Sequence, residues 1–452
     1  MRKRVSFAIA CVFMAAAAAR ADSGQGLSRD FREVIAAARA NVQPAVLYLK
    51  CLLETTESGK LAAQSVSGSA FTISADGEFV TNWHVVNKAR SIRCLLSDGR
   101  HFEAECLGSD KSMDLALCRM RLPAGESVPF ARFGPSSDVE EGEFVIAIGA
   151  PWGLNRSVTF GTISCARRYL EQHSEYVLWL QTDASIGPGN SGGPLVNTQG
   201  EVIGVNALGS MLPTANFGFA IPSDEAKLIL SQLRQNGKVS WSWCGLGLQP
   251  RHDFERGIYF DATNGVIVSG TEPDSPAREA GVLPRDRIVK INGTAVDGAT
   301  EESLPSLRRW IGLLPDSEKI TLELVRDSQP LSLTISPRLK GKVEGQERDF
   351  PKWDFSAKAI NAFETPELHL RKPKGVYVFG LVRPGNAEAA DLREKDILVS
   401  VNGKPVESLD ELAALHKLAL ADADARKAVF TVIRNGRLRE LVLDFSRDYQ
   451  RE

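Results

Sequence analysis

Short apolar or alternating segments, separated by turn residues, fill the chain over residues 41–221. The clearest of them cover residues 45–53, 69–73, 144–148 and 201–205. Turn signals such as Asp76-Gly77 separate them, as expected for strands joined by tight connections. The pattern predicts an all-β region, and a length of about 180 residues favours paired β-barrels over one small sandwich.

Two predicted helices flank this region. The spacing of apolar residues predicts a helix over residues 28–40, with Ser28 as its N-cap. Its apolar face would comprise Phe31, Val34, Ile35 and Ala38. A second predicted helix, over residues 223–235, leads out of the β region.

The C-terminal half contains a repeat. Residues 265–268 match residues 375–378, and residues 286–293 match residues 396–403. Both matches share an offset of 110 residues without a gap, which predicts a duplicated module. The intervening residues, 339–374, are charged and interrupted by proline, as expected for a linker and an irregular start of the second copy.

The start of the chain, residues 1–21, has the character of a secretory signal. Three basic residues at positions 2–4 precede an apolar run over residues 5–19, and residues 19–21 (Ala-Arg-Ala) fit a cleavage site. The alternative is a membrane anchor, but a run of about 15 apolar residues is shorter than the roughly 20 that span a bilayer. We therefore expect a periplasmic or secreted protein.

Composition excludes some classes of protein. The 452 residues include 54 Lys plus Arg and 56 Asp plus Glu, and 43% are hydrophobic. This is ordinary for a globular protein of about three domains. Because there is no basic excess, we expect no nucleic-acid partner.

Six cysteines would remain after cleavage: Cys51, Cys94, Cys106, Cys118, Cys165 and Cys244. An exported chain with an even number permits disulfides, and Cys94 and Cys106 flank a turn-like segment where a hairpin bridge could form. Alternatively, all six are buried small hydrophobic side chains, and the sequence favours neither. Since there is no Cys-x-x-Cys motif and no Cys/His cluster with metal-ligand spacing, we expect no metal and no cofactor.

Residues 187–194 (Gly-Pro-Gly-Asn-Ser-Gly-Gly-Pro) carry the sharpest chemical signal. A serine hydroxyl becomes a nucleophile when a base takes its proton, and the resulting oxyanion needs donors about 3 Å away. Flanking glycines let the backbone approach that oxygen. Ser191 is therefore the candidate nucleophile, and the N–H groups of Gly189 and Ser191 are the candidate oxyanion donors.

Two upstream residues supply the remaining groups. His84 ends an apolar segment and could exchange the serine proton, and Asp114 precedes another and could fix the imidazole tautomer. The order His84, Asp114, Ser191 is that of chymotrypsin-like proteases. It excludes the α/β-hydrolase elbow, which needs the order Ser, Asp, His and a helix after the serine; here Pro194 and a strand-like segment follow.

These motifs resemble those of the HtrA (DegP-like) serine proteases. Residues 81–86 resemble the family's histidine motif, residues 110–117 its aspartate motif and residues 181–197 its serine motif. Trp83 and Gly187 stand where the family usually has asparagine. The resemblance extends over nearly all of the mature chain.

The resemblance implies a mainly β protein, with a chymotrypsin-like double β-barrel protease domain followed by two α/β PDZ-like domains. The implied divisions are a signal peptide (1–21), the protease domain (22–240), a first PDZ-like domain (241–340), and a linker with a second PDZ-like domain (341–452).

Residues 244–248 resemble the family's Gly-Leu-Gly-Phe type loop, whose amides hold a peptide's terminal carboxylate while the peptide adds as a strand. The implied carboxylate-binding residues are Gly245, Leu246, Gly247 and Leu248. The helix beside the groove would lie near residues 303–312. The 110-residue offset places the second loop at residues 354–358, which are not of this type. We therefore expect the second module to bind carboxylates poorly and to serve in assembly.

Two further segments correspond to regulatory loops of the family. Residues 167–176 fall where a sensor loop would lie, and residues 207–216 where a specificity loop would lie. The second segment is small and apolar, so we expect its pocket to accept valine, alanine or similar residues. The alternative is that both are ordinary surface loops.

Together these features predict an exported serine endopeptidase that degrades unfolded or damaged proteins. Ser191 would attack the scissile carbonyl, His84 would act as base and then acid, and Asp114 would orient His84. The resemblance implies unfolded proteins or peptides as partners and a homotrimer, or a multiple of it. The alternatives are a chaperone or peptide-binding sensor in which proteolysis is secondary, and a PDZ scaffold that retains a barrel domain.

Overall fold

The strands of the N-terminal half close into two six-stranded β-barrels. The structure, a computed structural model, describes residues 30–150, 157–209, 217–254, 263–422 and 426–449. The strands of the first barrel are β1 (Val46–Thr55), β2 (Ala62–Thr72), β3 (Glu78–Thr81), β4 (Ala89–Leu95), β5 (His101–Asp110) and β6 (Leu115–Met120), in the order β1-β2-β3-β6-β5-β4. The predicted signal segment and Ser28 lie outside the described residues.

The second barrel repeats this architecture. Its strands are β7 (Phe144–Gly149), β8 (Ser157–Arg168), β9 (Trp179–Thr182), β10 (Pro194–Val196), β11 (Val202–Gly209) and β12 (Gly218–Pro222), in the order β10-β11-β12-β9-β8-β7. One apolar cluster joins the two barrels, because Phe71 and Leu115 of the first pack with Ile146 and Val205 of the second. The predicted mainly β class with paired barrels is confirmed.

Among the described residues, α-helices α1 (Phe31–Val42), α2 (Trp83–Val86) and α3 (Ser223–Asn236) accompany the barrels. The N-cap of α1 is Asp30, whose side chain accepts a hydrogen bond from the N–H of Arg32 at 3.0 Å. Ala38 and Val42 are buried against the shared core, whereas Phe31 stays 43% exposed. Within the described ranges, no helix has the length and apolar character needed to cross a membrane.

Two α/β modules follow the barrels. The first contains β13 (Ser242–Trp243), β14 (Leu246–Gln249), β15 (Val266–Thr271), α4 (Pro276–Glu279), β16 (Arg287–Ile291), β17 (Thr294–Ala295), α5 (Leu304–Gly312), β18 (Ile320–Arg326), β19 (Gln329–Ile335) and β20 (Arg338–Leu339). The second contains β21 (Glu347–Phe350), β22 (Phe355–Ala359), α6 (Pro366–His369), β23 (Val376–Leu381), α7 (Asn386–Ala389), β24 (Ile397–Val401), β25 (Lys404–Pro405), α8 (Leu409–Ala421), β26 (Lys427–Arg434) and β27 (Arg437–Asp444).

The 110-residue offset of the sequence repeat recurs in the structure, because β15 and β23, α4 and α7, and β16 and β24 have equivalent bounds. Each copy also buries an aspartate that contacts an arginine. The arginine lies on the strand after the longest helix of the copy, which is β18 after α5 in the first and β26 after α8 in the second. Asp286 contacts Arg326 at 2.7 Å, and Asp396 contacts Arg434 at 2.6 Å. A buried carboxylate needs such a partner, so the two copies share an internal support as well as a topology.

The cysteine positions answer the question of the hairpin bridge that the sequence left open. Strand pairing places Cys94 opposite Phe102, and Cys106 opposite Cys118 of β6. All six cysteines are free, so the Cys94–Cys106 bridge across the hairpin is not formed. The reason is the register, which sets these two residues several positions apart along the β4–β5 pair.

Candidate active site

His84 and Asp114 meet because two neighbouring strands are antiparallel. Thr81, at the end of β3, pairs with Ala116 near the start of β6. His84 lies in α2 directly after β3, and Asp114 immediately precedes β6 with a left-handed φ of 52°. The end of one strand and the start of its antiparallel neighbour lie at the same edge of the barrel, so both side chains reach one point.

Hydrogen bonds fix the imidazole of His84. Its Nδ1 lies 2.9 Å from Oδ2 and 3.0 Å from Oδ1 of Asp114, and its backbone N–H donates to Oδ1 at 3.1 Å. Asn82 supports the arrangement, since its Nδ2 donates to the carbonyl of Asp114 at 2.9 Å. This geometry commits Nδ1 to the carboxylate and leaves Nε2 as the nitrogen that can exchange a proton with a substrate or nucleophile.

The environment of His84 adjusts its basicity. Burial by itself lowers the pKa of His84, because it disfavours the charged ring. The hydrogen bond and the negative charge of Asp114 oppose this effect and outweigh it, so the pKa of His84 is raised above its ordinary value. The imidazole is therefore a stronger base than a free histidine.

The loop that carries Ser191 packs against the strand that leads to His84. Gly192 has a φ of 86°, and a Cβ there would collide with the carbonyl of Ser69 and the hydroxyl of Thr81. Only glycine permits this approach. The N–H of Ser69 also donates to the carbonyl of Ser191 at 2.8 Å. The first barrel and the serine loop of the second barrel thus form one cleft.

The hydroxyl of Ser191 has a different partner from the predicted one. It donates to the carbonyl of Ala207 at 3.2 Å, and among the described residues it makes no hydrogen bond to His84. The structure therefore joins His84 to Asp114 and places Ser191 in the same cleft, with its hydroxyl turned to β11.

The predicted oxyanion donors lie in an ordered turn. Gly189 has a φ of 97°, and its carbonyl accepts a hydrogen bond from the hydroxyl of Ser69 at 2.6 Å. The same hydroxyl accepts from the N–H of Ala150 at 2.8 Å. The N–H groups of Gly189 and Ser191 donate to no other described residue, which is the state that an oxyanion site requires.

Sequence reasoning missed two residues of this cleft. Ser69 is fully buried and orients the Gly189 carbonyl, but a serine within a strand gives no signal of this contact. Ile186 packs against Gly218, where a Cβ would lie 2.6 Å from its Cδ1. Ile186 lies within the serine motif, residues 181–197, but its packing against Gly218 depends on pairing between distant strands, which the motif does not show.

The segment predicted as a sensor loop, residues 167–176, contacts the first module. Arg308 of α5 donates to the hydroxyl of Tyr169 at 3.0 Å and to the carbonyl of Leu248 at 3.2 Å. Lys340 donates to the hydroxyl of Tyr176 at 2.8 Å. The side chains that line the groove of the first module are therefore connected to the protease barrels.

Known proteins share this architecture. A family model described as a trypsin-like peptidase domain matches residues 68–205, which include His84, Asp114 and Ser191, and a PDZ domain model matches residues 267–326. A probable periplasmic serine endoprotease DegP-like from Marinomonas sp. (strain MWYL1) is 34% identical over 385 residues, covering 82% of this chain and 78% of that relative. The chain belongs to the DegP-like serine endoproteases.

Further similarities agree with this assignment. A DegP-like relative from Halomonas elongata is 35% identical over 358 residues, covering 77% of this chain and 73% of the relative. The solved structure of the HtrA-type protease AlgW with tripeptide has a TM-score of 0.59 at 32% identity and covers 67% of this chain and 96% of its own. A serine endoprotease from Yersinia pestis has a TM-score of 0.51 at 30% identity, with 67% and 96% covered.

This DegP-like protein is a periplasmic serine endopeptidase. The predicted enzyme class and compartment are confirmed, and the alternative in which proteolysis is secondary is not favoured.

Proposed function

We propose that this DegP-like protease degrades unfolded proteins, with Ser191 as nucleophile, His84 as base and then acid, and Asp114 as the orienting carboxylate. The contact of His84 Nδ1 with both carboxylate oxygens of Asp114, at 2.9 and 3.0 Å, carries the proposal. Because Nδ1 is bound to Asp114, Nε2 is the ring nitrogen that remains for proton exchange. Its proposed partner is the hydroxyl of Ser191.

The proposed reaction follows from these positions. The Ser191 hydroxyl turns from the Ala207 carbonyl to Nε2 of His84, which takes its proton as Oγ attacks the scissile carbonyl. The N–H groups of Gly189 and Ser191 bind the oxyanion. As the C–N bond breaks, His84 gives the proton to the leaving amine. A water molecule, deprotonated by His84, then attacks the ester formed with Ser191. His84 returns the proton to Oγ as the ester bond breaks, which releases the acid product and restores the Ser191 hydroxyl.

The side chains beside Ser191 favour small aliphatic residues in the substrate. Ala207, whose carbonyl holds the Ser191 hydroxyl, is buried, and Ile186 fills the space next to Gly218. We propose that these side chains line an apolar pocket, which would suit valine or alanine before the scissile bond. Most of the specificity segment, residues 210–216, lies outside the described residues.

The groove of the first module is the proposed site for peptide C-termini. The N–H groups of residues 245–247 lie where β14 begins. β14 is the edge strand of its sheet, and among the described strands it pairs only with β15. A cavity opens between this loop and α5. Its lining includes Leu246, Leu248, Arg308, Ile311 and Phe363. A peptide that adds to β14 would compete with Arg308 for the carbonyl of Leu248. Because Arg308 also donates to the hydroxyl of Tyr169, such a peptide would disturb the contact between α5 and Tyr169 as well.

An exposed aromatic cluster supports the proposed homo-oligomer. Phe31, Phe144 and Phe160 contact one another with ring centroids 4.8 to 5.3 Å apart. Each is 43 to 45% exposed. Exposed apolar patches of this kind mark protein contacts, and we propose that this one joins copies of the chain into a trimer.

Cleavage of one protein in two states tests the proposed function. We expect rapid degradation of a reduced and alkylated disulfide protein and little cleavage of its native form, because an extended segment must enter the cleft. Mass spectrometry of the products should show cuts mainly after valine, alanine or similar residues. Equal degradation of both states, or cuts mainly after basic or aromatic residues, would contradict the proposal.

The pH dependence of kcat/KM tests the role of His84. Only the neutral imidazole accepts the serine proton, so activity should fall about tenfold per pH unit below the pKa of His84. Since Asp114 raises that pKa, we expect the acidic midpoint above about 6.5. In Asp114→Asn the two raising effects disappear and burial remains, so the midpoint should move to lower pH. A midpoint unaffected by this change would argue against the assignment.

A further inference from the structure

The second module has a strand that the first lacks. β21 pairs antiparallel with β22, from Glu347 opposite Lys358 to Phe350 opposite Phe355. In the first module the equivalent strand, β14, is the edge of its sheet, and no described strand pairs with that edge. β21 therefore lies in the second module where an added peptide strand would lie in the first.

The side chains of β21 alternate, and one set faces the groove helix. Arg348 contacts Asp410 in the first turn of α8 at 3.0 Å. Phe350 is 1% exposed, and its ring lies 5.3 Å from that of Phe355 and 5.4 Å from that of His416 in the middle of α8. The strand thus fills the space between β22 and α8, as a ligand between a sheet edge and a helix would.

The backbone at the end of β21 occupies the loop that would hold a terminal carboxylate. The N–H of Asp354, the first residue of the predicted loop, donates to the carbonyl of Phe350 at 3.0 Å. The strand runs antiparallel to β22, so its last residue lies at this loop, which is the polarity of a bound C-terminus. The carbonyl of Phe350 stands in for one carboxylate oxygen.

The other set of side chains contacts the protease barrels. Glu347 pairs with Lys88, which follows α2, at 2.6 Å, and Asp349 accepts from the N–H of Leu61 at 3.1 Å. The hydroxyl of Ser356 on the neighbouring strand donates to the carbonyl of Thr56 at 2.6 Å. These contacts hold β21 in place from outside the groove.

We propose that residues 347–350 act as an internal ligand of the second module, which leaves the first module as the groove open to external peptides. The unusual loop at residues 354–358 is then not a weakened carboxylate site but one already filled by the chain. The statement that the first module is the open groove rests on the peptide site proposed there. The statement that β21 fills the second groove does not depend on that proposal.

Hydrogen–deuterium exchange of the full chain tests this occupancy without altering the strand. Ser191→Ala prevents self-digestion. We expect the amides of β21 that bond to β22, and those of residues 355–359, to be protected like those of the inner strand β23, because pairing protects them. Exchange of residues 347–350 as fast as that of the turn at residues 341–343 would overturn the proposal.

Emptying the groove provides the second test. The probe is a fluorescein-labelled peptide with the sequence of residues 345–350 (Gly-Gln-Glu-Arg-Asp-Phe) and a free carboxylate. All chains carry Ser191→Ala and Leu246→Asp, which puts a negative charge at the first module's loop. We expect Arg348→Ala with Phe350→Ala to bind the probe at least tenfold more tightly than the parent chain, as measured by fluorescence anisotropy.

A matched control alters the opposite edge of the same sheet. Arg437 and Leu438 of β27 are exposed, and Arg437→Ala with Leu438→Ala should leave probe binding at the parent level. A folded groove variant that gains no binding, or a parent chain that binds equally well, would overturn the proposal. If thermal unfolding shows that the groove variant does not fold, the exchange experiment decides.

Discussion

Ser191→Ala is expected to reduce kcat on an unfolded protein such as casein by about a millionfold, the scale seen when a serine protease loses its nucleophile. At about 1.4 kcal/mol for each factor of ten, this corresponds to about 8 kcal/mol of transition-state stabilisation. The loss is large because no neighbouring group can replace Oγ. The N–H donors and the bound substrate alone leave only a small residual rate.

The variant should retain its fold, which separates a catalytic effect from a structural one. The Ser191 side chain is half-buried, and among the described residues its hydroxyl makes one hydrogen bond, to the carbonyl of Ala207 at 3.2 Å. We therefore expect an unchanged far-ultraviolet circular dichroism spectrum and a Tm within a few degrees. Ser65→Ala, an exposed serine on β2 of the first barrel, should keep full activity.

The result also distinguishes a protease from a binding protein with secondary proteolysis. Casein loss within tenfold of the wild-type rate in Ser191→Ala would contradict the assignment of this nucleophile. The inactive variant should still bind peptides, because the groove of the first module is a separate site.

Asp114→Asn is expected to lower kcat by about ten thousandfold, the effect that the same change has in a serine protease whose geometry survives it. The carboxylate of Asp114 accepts a hydrogen bond from the Nδ1–H of His84, with Oδ2 2.9 Å from Nδ1. An amide can donate there instead, which favours the tautomer whose Nε2 carries the proton and cannot act as a base. The stabilising charge on the imidazolium is lost as well.

The choice of asparagine keeps the local structure. Its Oδ1 can still accept the backbone N–H of His84, as Oδ1 of Asp114 does at 3.1 Å. Asp76→Asn is the matched control, because its side chain is 68% exposed at a turn of the same barrel. A fall in kcat of less than tenfold for Asp114→Asn, with the fold intact, would show that Asp114 does not orient the base.

Local pattern determined much of this protein. Alternating apolar segments predicted strands that β1, β2, β7 and β11 confirm in position, because alternation follows directly from a sheet with one buried face. The helix over residues 28–40 was placed within two or three residues of α1, but its cap was misplaced. Asp30 takes that role, and a choice between neighbouring capping residues depends on the local backbone path.

The order of His84, Asp114 and Ser191 was also readable, because each residue lies in a long motif. The rest of the site depends on pairings between distant segments. The hydroxyl of Ser191 turns to Ala207 through the approach of the serine loop to β11, and Ser69 reaches Gly189 across 120 residues of sequence. No local signal encodes such contacts.

The second module shows the same division. Its duplication was evident from the sequence, because equal spacing of matching residues does not depend on folding. The filling of its groove by β21 was not, since Glu347–Phe350 lies in a segment that reads as a linker. Strand identity comes from local alternation, whereas strand partners and register are set by which backbone edges and apolar faces meet in three dimensions.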